Sequence, residues 1–218
     1  MSHERYQLVI GNKNTSSWSL RPWLALRRFR LPFEEININL RADDKVARIL
    51  EHSPSGKVPA LLIDDLVVWD SLAILETIAD RHPEAGAWPL DREARAIARA
   101  VSAEMHSGFQ ALREHCPMSF LAYAPKAILP DPVTADIRRI VASWRNCRAR
   151  YGGDGPFLFS TFSAADAMYA PVASRFRTYI PDLAPFGDDG TAQAWVDTIF
   201  AMPEIADWEK GALAEIGA

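Results

Sequence analysis

Cysteine is scarce: the 218 residues hold two, Cys116 and Cys147, far apart and in no CxxC pair or zinc-ligand spacing. That spacing excludes a disulfide framework and a cysteine metal centre, and both thiols read as quiet core or helix-surface residues. The five histidines are scattered, with no HExxH or HxH pattern, so no metal is expected. Positive charge is also short, with 24 Lys and Arg against 28 Asp and Glu and a net charge of −4. A phosphate-gripping face needs clustered cations in excess, so no nucleic-acid partner is expected. No run approaches the roughly 20 apolar residues that cross a bilayer. The opening MSHERYQLVIGN carries no apolar signal core. The expectation is a cytoplasmic protein with no membrane partner.

What is present is material for a core, since 49% of the residues are hydrophobic. The first part mixes two periods. Residues 6–10 read as a short strand, followed by the loop GNKNTSS and a helix over 19–29. Ser19 is its expected N-cap, with Pro22 in the first turn, where a missing N–H costs little. Residues 33–40 alternate, with Ile36, Ile38 and Leu40 on one face, and predict a second strand. A short helix over 43–50 and the loop HSPSGK lead to a strand at 60–63. Asp64-Asp65 makes a turn into a strand at 67–69. Asp70-Ser71 then opens a helix with Leu72, Leu75, Ile78 and Ala79 at helical spacing. The order is βαβαββα, with one parallel pair and one hairpin in a small mixed sheet.

Pro83, Gly86 and Pro89 break the pattern, and the rest carries no convincing strand. Residues 93–114 place Ile97, Val101, Met105, Phe109 and Leu112 at three- or four-residue steps and predict one long amphipathic helix. Further helices are expected over 134–151, from Ser163 to Arg175, over 191–200 and over 203–216. Ser163 and Asp166 have capping-box spacing and read as structural. Trp144, Tyr169 and Trp195 read as core. The domain division is 1–82 for the α/β part, 83–91 for a linker and 92–218 for the all-helical part.

Four segments stand in order along the chain: SSWSLRPWLAL (16–26), SGKVPAL (55–61), DSLAI (70–74) and SAADAMYAP (163–171). With a thioredoxin-like N-terminal part and an all-α C-terminal part, they resemble the cytosolic glutathione S-transferase family over nearly the whole chain. The resemblance is nearest to the zeta-like, maleylacetoacetate isomerase-like members, whose first helix opens on Ser-Ser-Cys-Ser-Trp-Arg. Here the segment is Ser16-Ser17-Trp18-Ser19-Leu20-Arg21, with tryptophan in the place of the cysteine. That departure weakens the isomerase expectation and removes the thiol that other classes use for disulfide reduction.

The chemistry fits the segments. A free thiol of pKa about 8.5 is only a few per cent thiolate at neutral pH. Lowering that pKa by about two units takes about 2.7 kcal/mol of thiolate stabilisation. A hydroxyl and the positive end of a helix supply that much. The resemblance implies that Ser16 donates to the glutathione sulfur, with Ser17 as the alternative. It implies a cis Val58-Pro59 bond, with Val58 pairing the tripeptide backbone as a neighbouring strand would and Lys57 meeting the glycyl carboxylate. Ser71 would take the γ-glutamyl carboxylate at a helix start, with Asp70 facing the ammonium. His106 and Arg175 or Arg177 are candidates for the pocket of the second, electrophilic substrate. Glutathione would be a co-substrate with no other cofactor, and a homodimer is expected. A glutathione-dependent cis–trans isomerase and a non-catalytic binding protein of the same fold are the rival readings.

Overall fold

The computed structural model describes residues 4–217. Strand β1 (Tyr6–Gly11) runs through the middle of the first part and is buried at every residue but the half-buried Gln7. After α1 (Ser17–Arg28), strand β2 (Glu34–Ile38) returns parallel to β1, with Val9 opposite Ile36. Helix α2 (Lys45–Leu50) and a loop lead to β3 (Ala60–Ile63), antiparallel to β1. The Asp64-Asp65 turn joins β3 to β4 (Leu66–Trp69), and the sheet order is β2-β1-β3-β4. Helix α3 (Ser71–Arg81) closes this unit, with Ile74, Leu75 and Ile78 on its buried face. Val9, Ile38, Ile49 and Ala60 form a small core on one face of the sheet, joined by Ile36 and Leu40 as the alternation predicts. The other face merges with the main core.

The rest is helical, with isolated bridges around residues 157–161 as its only β pairing among the described residues. It runs through α4 (Arg92–Ser107), α5 (Gln110–His115), α6 (Asp131–Tyr151), α7 (Ala164–Tyr179), α8 (Thr191–Phe200) and α9 (Pro203–Ala214). Among the described residues no helix is long and apolar enough to cross a membrane. Helix α7 is buried along nearly all its length, and Ala167, Ala170 and Ala173 let α1 and α4 pack closely against it. Trp144 meets Trp195, Tyr169 and Phe176 in the core, as read from the sequence. The capping box at the start of α7 is present, with Asp166 accepting from the N–H and hydroxyl of Ser163. Its other oxygen accepts from Leu158 N–H and the Trp195 indole.

Two expectations need correction. Helix α1 begins at Ser17 with Ser16 as N-cap, not at Ser19. The chain already turns at Asn12, whose carbonyl accepts from Thr15 and Ser16, and the Ser19 hydroxyl accepts from Gly11 N–H instead of capping. Pro22 therefore lies in the second turn and leaves the Trp18 carbonyl without its helical donor. The single helix over 93–114 is in fact two. Gly108 is extended and Phe109 is left-handed at φ 57°, which drives the Phe109 ring into the core and restarts the helix at Gln110. Smaller differences lie at other ends: α6 starts three residues early, α7 runs to Tyr179 and α9 ends at Ala214.

The loop before α1 is fixed from several sides. Lys13 N–H donates to the Glu215 carboxylate at 2.8 Å, and the Trp208 indole donates to Lys13 C=O. The Lys13 ammonium pairs with Glu35 at 2.7 Å and lies over Trp23 and Trp208. On the other side, Asn14 accepts from Phe120 and Leu121 N–H. The start of α1 is thus held by the last helix and by the segment after α5.

Candidate active site

A cleft of about 600 Å³ opens between the β3–β4 end of the sheet and helices α4 and α5. Lys57, Val58, Asp70 and Ser71 lie on its wall, as the sequence suggested, and so does His106 from α4. The Val58-Pro59 bond is cis, and Val58 makes no backbone hydrogen bond among the described residues, so its N–H and C=O are open to a ligand. The Lys57 N–H is held by the Ser55 hydroxyl, itself on the wall. The Ser71 hydroxyl, at the first residue of α3, is buried without a partner among the described residues. A buried, unsatisfied hydroxyl at a helix start suits a bound carboxylate.

Asp70 adopts φ 78° and has two roles. One oxygen caps α3 by accepting from Leu72 and Ala73 N–H. The other lies 2.6 Å from His106 Nε2. Burial pushes its carboxyl up, but the bonds from His106, Leu72 and Ala73 outweigh that and hold it below the usual carboxylate value.

Trp18 stands where the wall crosses from α1 to the helical part. The Arg21 guanidinium lies over its ring at 3.9 Å, the Arg113 guanidinium is 5.1 Å away, and the His106 ring meets it edge-on. Arg21 is wholly buried. Its Nε donates to Met168 C=O, and both terminal nitrogens lack partners among the described residues. Burial, then the charges of Arg175 and Arg113, push its pKa well down.

Ser16 and Ser17 are both buried and neither is on the cleft wall. The Ser16 hydroxyl donates to Ser19 Oγ at 2.8 Å, and Ser17 Oγ accepts from Arg175 at 3.3 Å. Arg175 is not on the wall either; from α7 it also donates to Cys116 C=O and Pro171 C=O. Arg177 is half-exposed, over Phe200 and outside the cleft. Neither cysteine lines the cleft, and burial pushes both thiols up. Sequence reasoning missed Trp69 and Arg113 on the wall. Trp69 closes β4 just before the Asp70 cap, a position a local reading can reach. Arg113 comes to the wall only because α4 breaks at Gly108.

A four-stranded β2-β1-β3-β4 sheet carrying a cis-proline wall and a polar α3 start, backed by a helical half, defines a glutathione-transferase architecture. Residues 15–81 match the N-terminal domain of glutathione S-transferases and residues 95–210 match the C-terminal domain, so the chain belongs to that family. Among curated relatives, the probable maleylacetoacetate isomerase of Caenorhabditis elegans is 33% identical over 51% of this chain and 51% of its own length. The maleylacetoacetate isomerase of Rattus norvegicus is 29% identical over 80% of this chain and 79% of its own. Among solved structures, glutathione transferase Omega 2S of Trametes versicolor shares the fold, with a TM-score of 0.71 at 20% identity over 98% of this chain and 95% of that one.

Proposed function

We propose that the protein is a glutathione transferase that ionises the glutathione thiol at the start of α1 and adds it to a small, mostly apolar electrophile. The γ-glutamyl carboxylate sits on the Ser71 hydroxyl and N–H. The ammonium faces Asp70, the cysteinyl backbone pairs with Val58, and the glycyl carboxylate meets Lys57. A hydroxyl from Ser16 or Ser17, with the positive end of α1, stabilises the thiolate. Holding the thiolate beside the second substrate supplies the rest of the rate by proximity. His106, on the wall beside Trp18, belongs to the second-substrate side. The reading includes a cytoplasmic homodimer with glutathione as co-substrate.

The observation that carries this reading is the buried Ser71 hydroxyl, unpartnered on the wall of a cleft that also presents Val58, Lys57 and Asp70. Calorimetric titration with glutathione tests it. Binding to the wild type is expected, and Ser71→Ala should weaken it by roughly 10- to 150-fold, the loss of one hydrogen bond to a charged group. Unchanged affinity in Ser71→Ala would remove the proposed seat. The names of the curated relatives favour a second reading, reversible thiolate addition to a double bond, as in maleylacetoacetate isomerisation. Parallel assays with maleylacetoacetate and with a haloarene separate the two. A non-catalytic binding protein would hold glutathione without lowering its thiol pKa.

A further inference from the structure

His106 reaches Asp70 from the other half of the molecule. Asp70 precedes α3 in the α/β part, His106 lies in the last turn of α4, and both line the cleft. His106 Nε2 stands 2.6 Å from Asp70 Oδ2, while its ring meets Trp18 edge-on. The main chain behind the ring is held as well, since Arg113 donates to His106 C=O at 3.3 Å. The imidazole thus stands between the start of α3 and the wall made by Trp18 and Arg113.

The acceptor sites of Asp70 are nearly used up. An ionised carboxylate offers about four, two on each oxygen. Oδ1 accepts from Leu72 and Ala73 N–H, which leaves Oδ2 for the cleft. His106 takes one of the sites on Oδ2. What the last site can hold depends on the charge of the imidazole. A neutral imidazole donates one N–H and adds no charge, so a cation can take the remaining site. An imidazolium brings a full positive charge, and two cations on one oxygen stand only about 4 Å apart and repel. Imidazole is the side chain whose ordinary titration falls between about pH 5 and 8.

The side chains of His106 and Asp70 are 32% and 43% exposed. An ion pair this open to water is weak, so a ligand can displace it. The other charged groups about the ring are Arg113 from α5, Arg21 from α1, Arg175 from α7 near Arg21, and Lys57 before β3. Asp70 is the one carboxylate on the cleft wall among the described residues, so a ligand ammonium has no other anion there to pair with.

Resting on the reading of function above, we propose that His106 sets the pH at which the tripeptide site accepts its ligand. Neutral, it shares Asp70 Oδ2 with the γ-glutamyl ammonium; protonated, it takes that ammonium's place. Binding then drives the extra proton from the imidazole to solvent, and no covalent bond changes.

Calorimetric titration with S-methylglutathione tests this. That thioether keeps the ammonium and both carboxylates but has no thiol to ionise. Its affinity for the wild type should rise roughly 3- to 10-fold from pH about 5.5 to about 8, the worth of an exposed pair plus the repulsion beside it. Repeating the titration in buffers of different ionisation enthalpy should show a fraction of a proton released near the middle of that range. His106→Gln keeps a donor toward Asp70 without a titrating charge. It should bind with no pH dependence and no proton release, near the wild-type affinity at the upper pH. The same thioether with a glutaryl group in place of γ-glutamyl lacks only the ammonium, and its affinity for the wild type should not rise with pH. That arm needs no variant, so it decides even where His106→Gln fails to fold. Equal wild-type affinity at the two ends of the range overturns the proposal. So does a rise that survives in His106→Gln or with the glutaryl ligand. S-methylglutathione that binds at no pH overturns the reading of function itself, a result distinct from binding without pH dependence.

Discussion

Replacing Asp166 with asparagine changes one atom, and the structure sets its cost. The carboxylate takes four donors: Leu158 N–H and the Trp195 indole on one oxygen, Ser163 N–H and hydroxyl on the other. The side chain is fully buried. In Asp166→Asn the amide oxygen keeps the first pair, and the amide nitrogen confronts the second. The Ser163 hydroxyl can rotate and accept, but the Ser163 N–H cannot and is left buried without an acceptor. That orphan costs about 1–3 kcal/mol. The two surviving bonds lose their charge assistance, so the total is about 2–4 kcal/mol. For a chain of this size that lowers Tm by roughly 5–15 °C. Urea and thermal unfolding followed by tryptophan fluorescence give the number, since Trp195 is bonded to Asp166 and its ring lies tilted against Trp144. A deficit below about 0.5 kcal/mol would refute the reasoning, because a surface substitution does no more.

Two further outcomes follow from the same structure. A Cβ on Gly155 would lie 2.0 Å from the Ser160 carbonyl oxygen, a backbone atom that cannot swing aside. Gly155→Ala should cost about 2 kcal/mol or more, read from the urea midpoint, and wild-type stability would show that the 152–160 loop simply shifts. Asp70 is held below the usual carboxylate value, so its contribution is in place above pH about 4 and is lost as pH falls through its folded value. Asp70→Asn should therefore flatten the acid limb of the stability curve. At neutral pH it should cost less than about 1 kcal/mol, since the Asn amide oxygen keeps the cap on Leu72 and Ala73 N–H and only the part-exposed His106 pairing is weakened. An acid limb identical to the wild type would show that Asp70 does not titrate with folding.

Lys57, Val58, Asp70 and Ser71 lie on the cleft wall where the family resemblance put them, and only the cap that opens α3 was legible from the local pattern itself. The sheet was legible for the same reason, since alternation and the Asp64-Asp65 turn fix strand faces locally. The α4–α5 break was not. Phe109 keeps the helical step of Ile97, Val101 and Met105, so periodicity carries straight through Gly108. The left-handed turn there is set by where the core accepts the Phe109 ring. The start of α1 was misplaced because Ser19 looks like a cap in sequence while its hydroxyl is engaged by Gly11 across the loop. The gathering of Arg21, Arg113 and Arg175 near Trp18 brings together α1, α5 and α7, which no local pattern connects. Arg175 was expected in the pocket of the second substrate, but it lies off the cleft wall and reaches a serine 158 positions away.

The clasp between Lys13 and Glu215 joins residues 202 positions apart. During synthesis at about 5–20 residues per second, roughly 10–40 s separate the emergence of these two residues from the ribosome. Over that interval the early sheet can pair, since all its strands come from the first 69 residues. The turn leading into α1 waits for its last fastening. A nascent chain would thus carry a paired sheet well before the turn into α1 gains its last fastening.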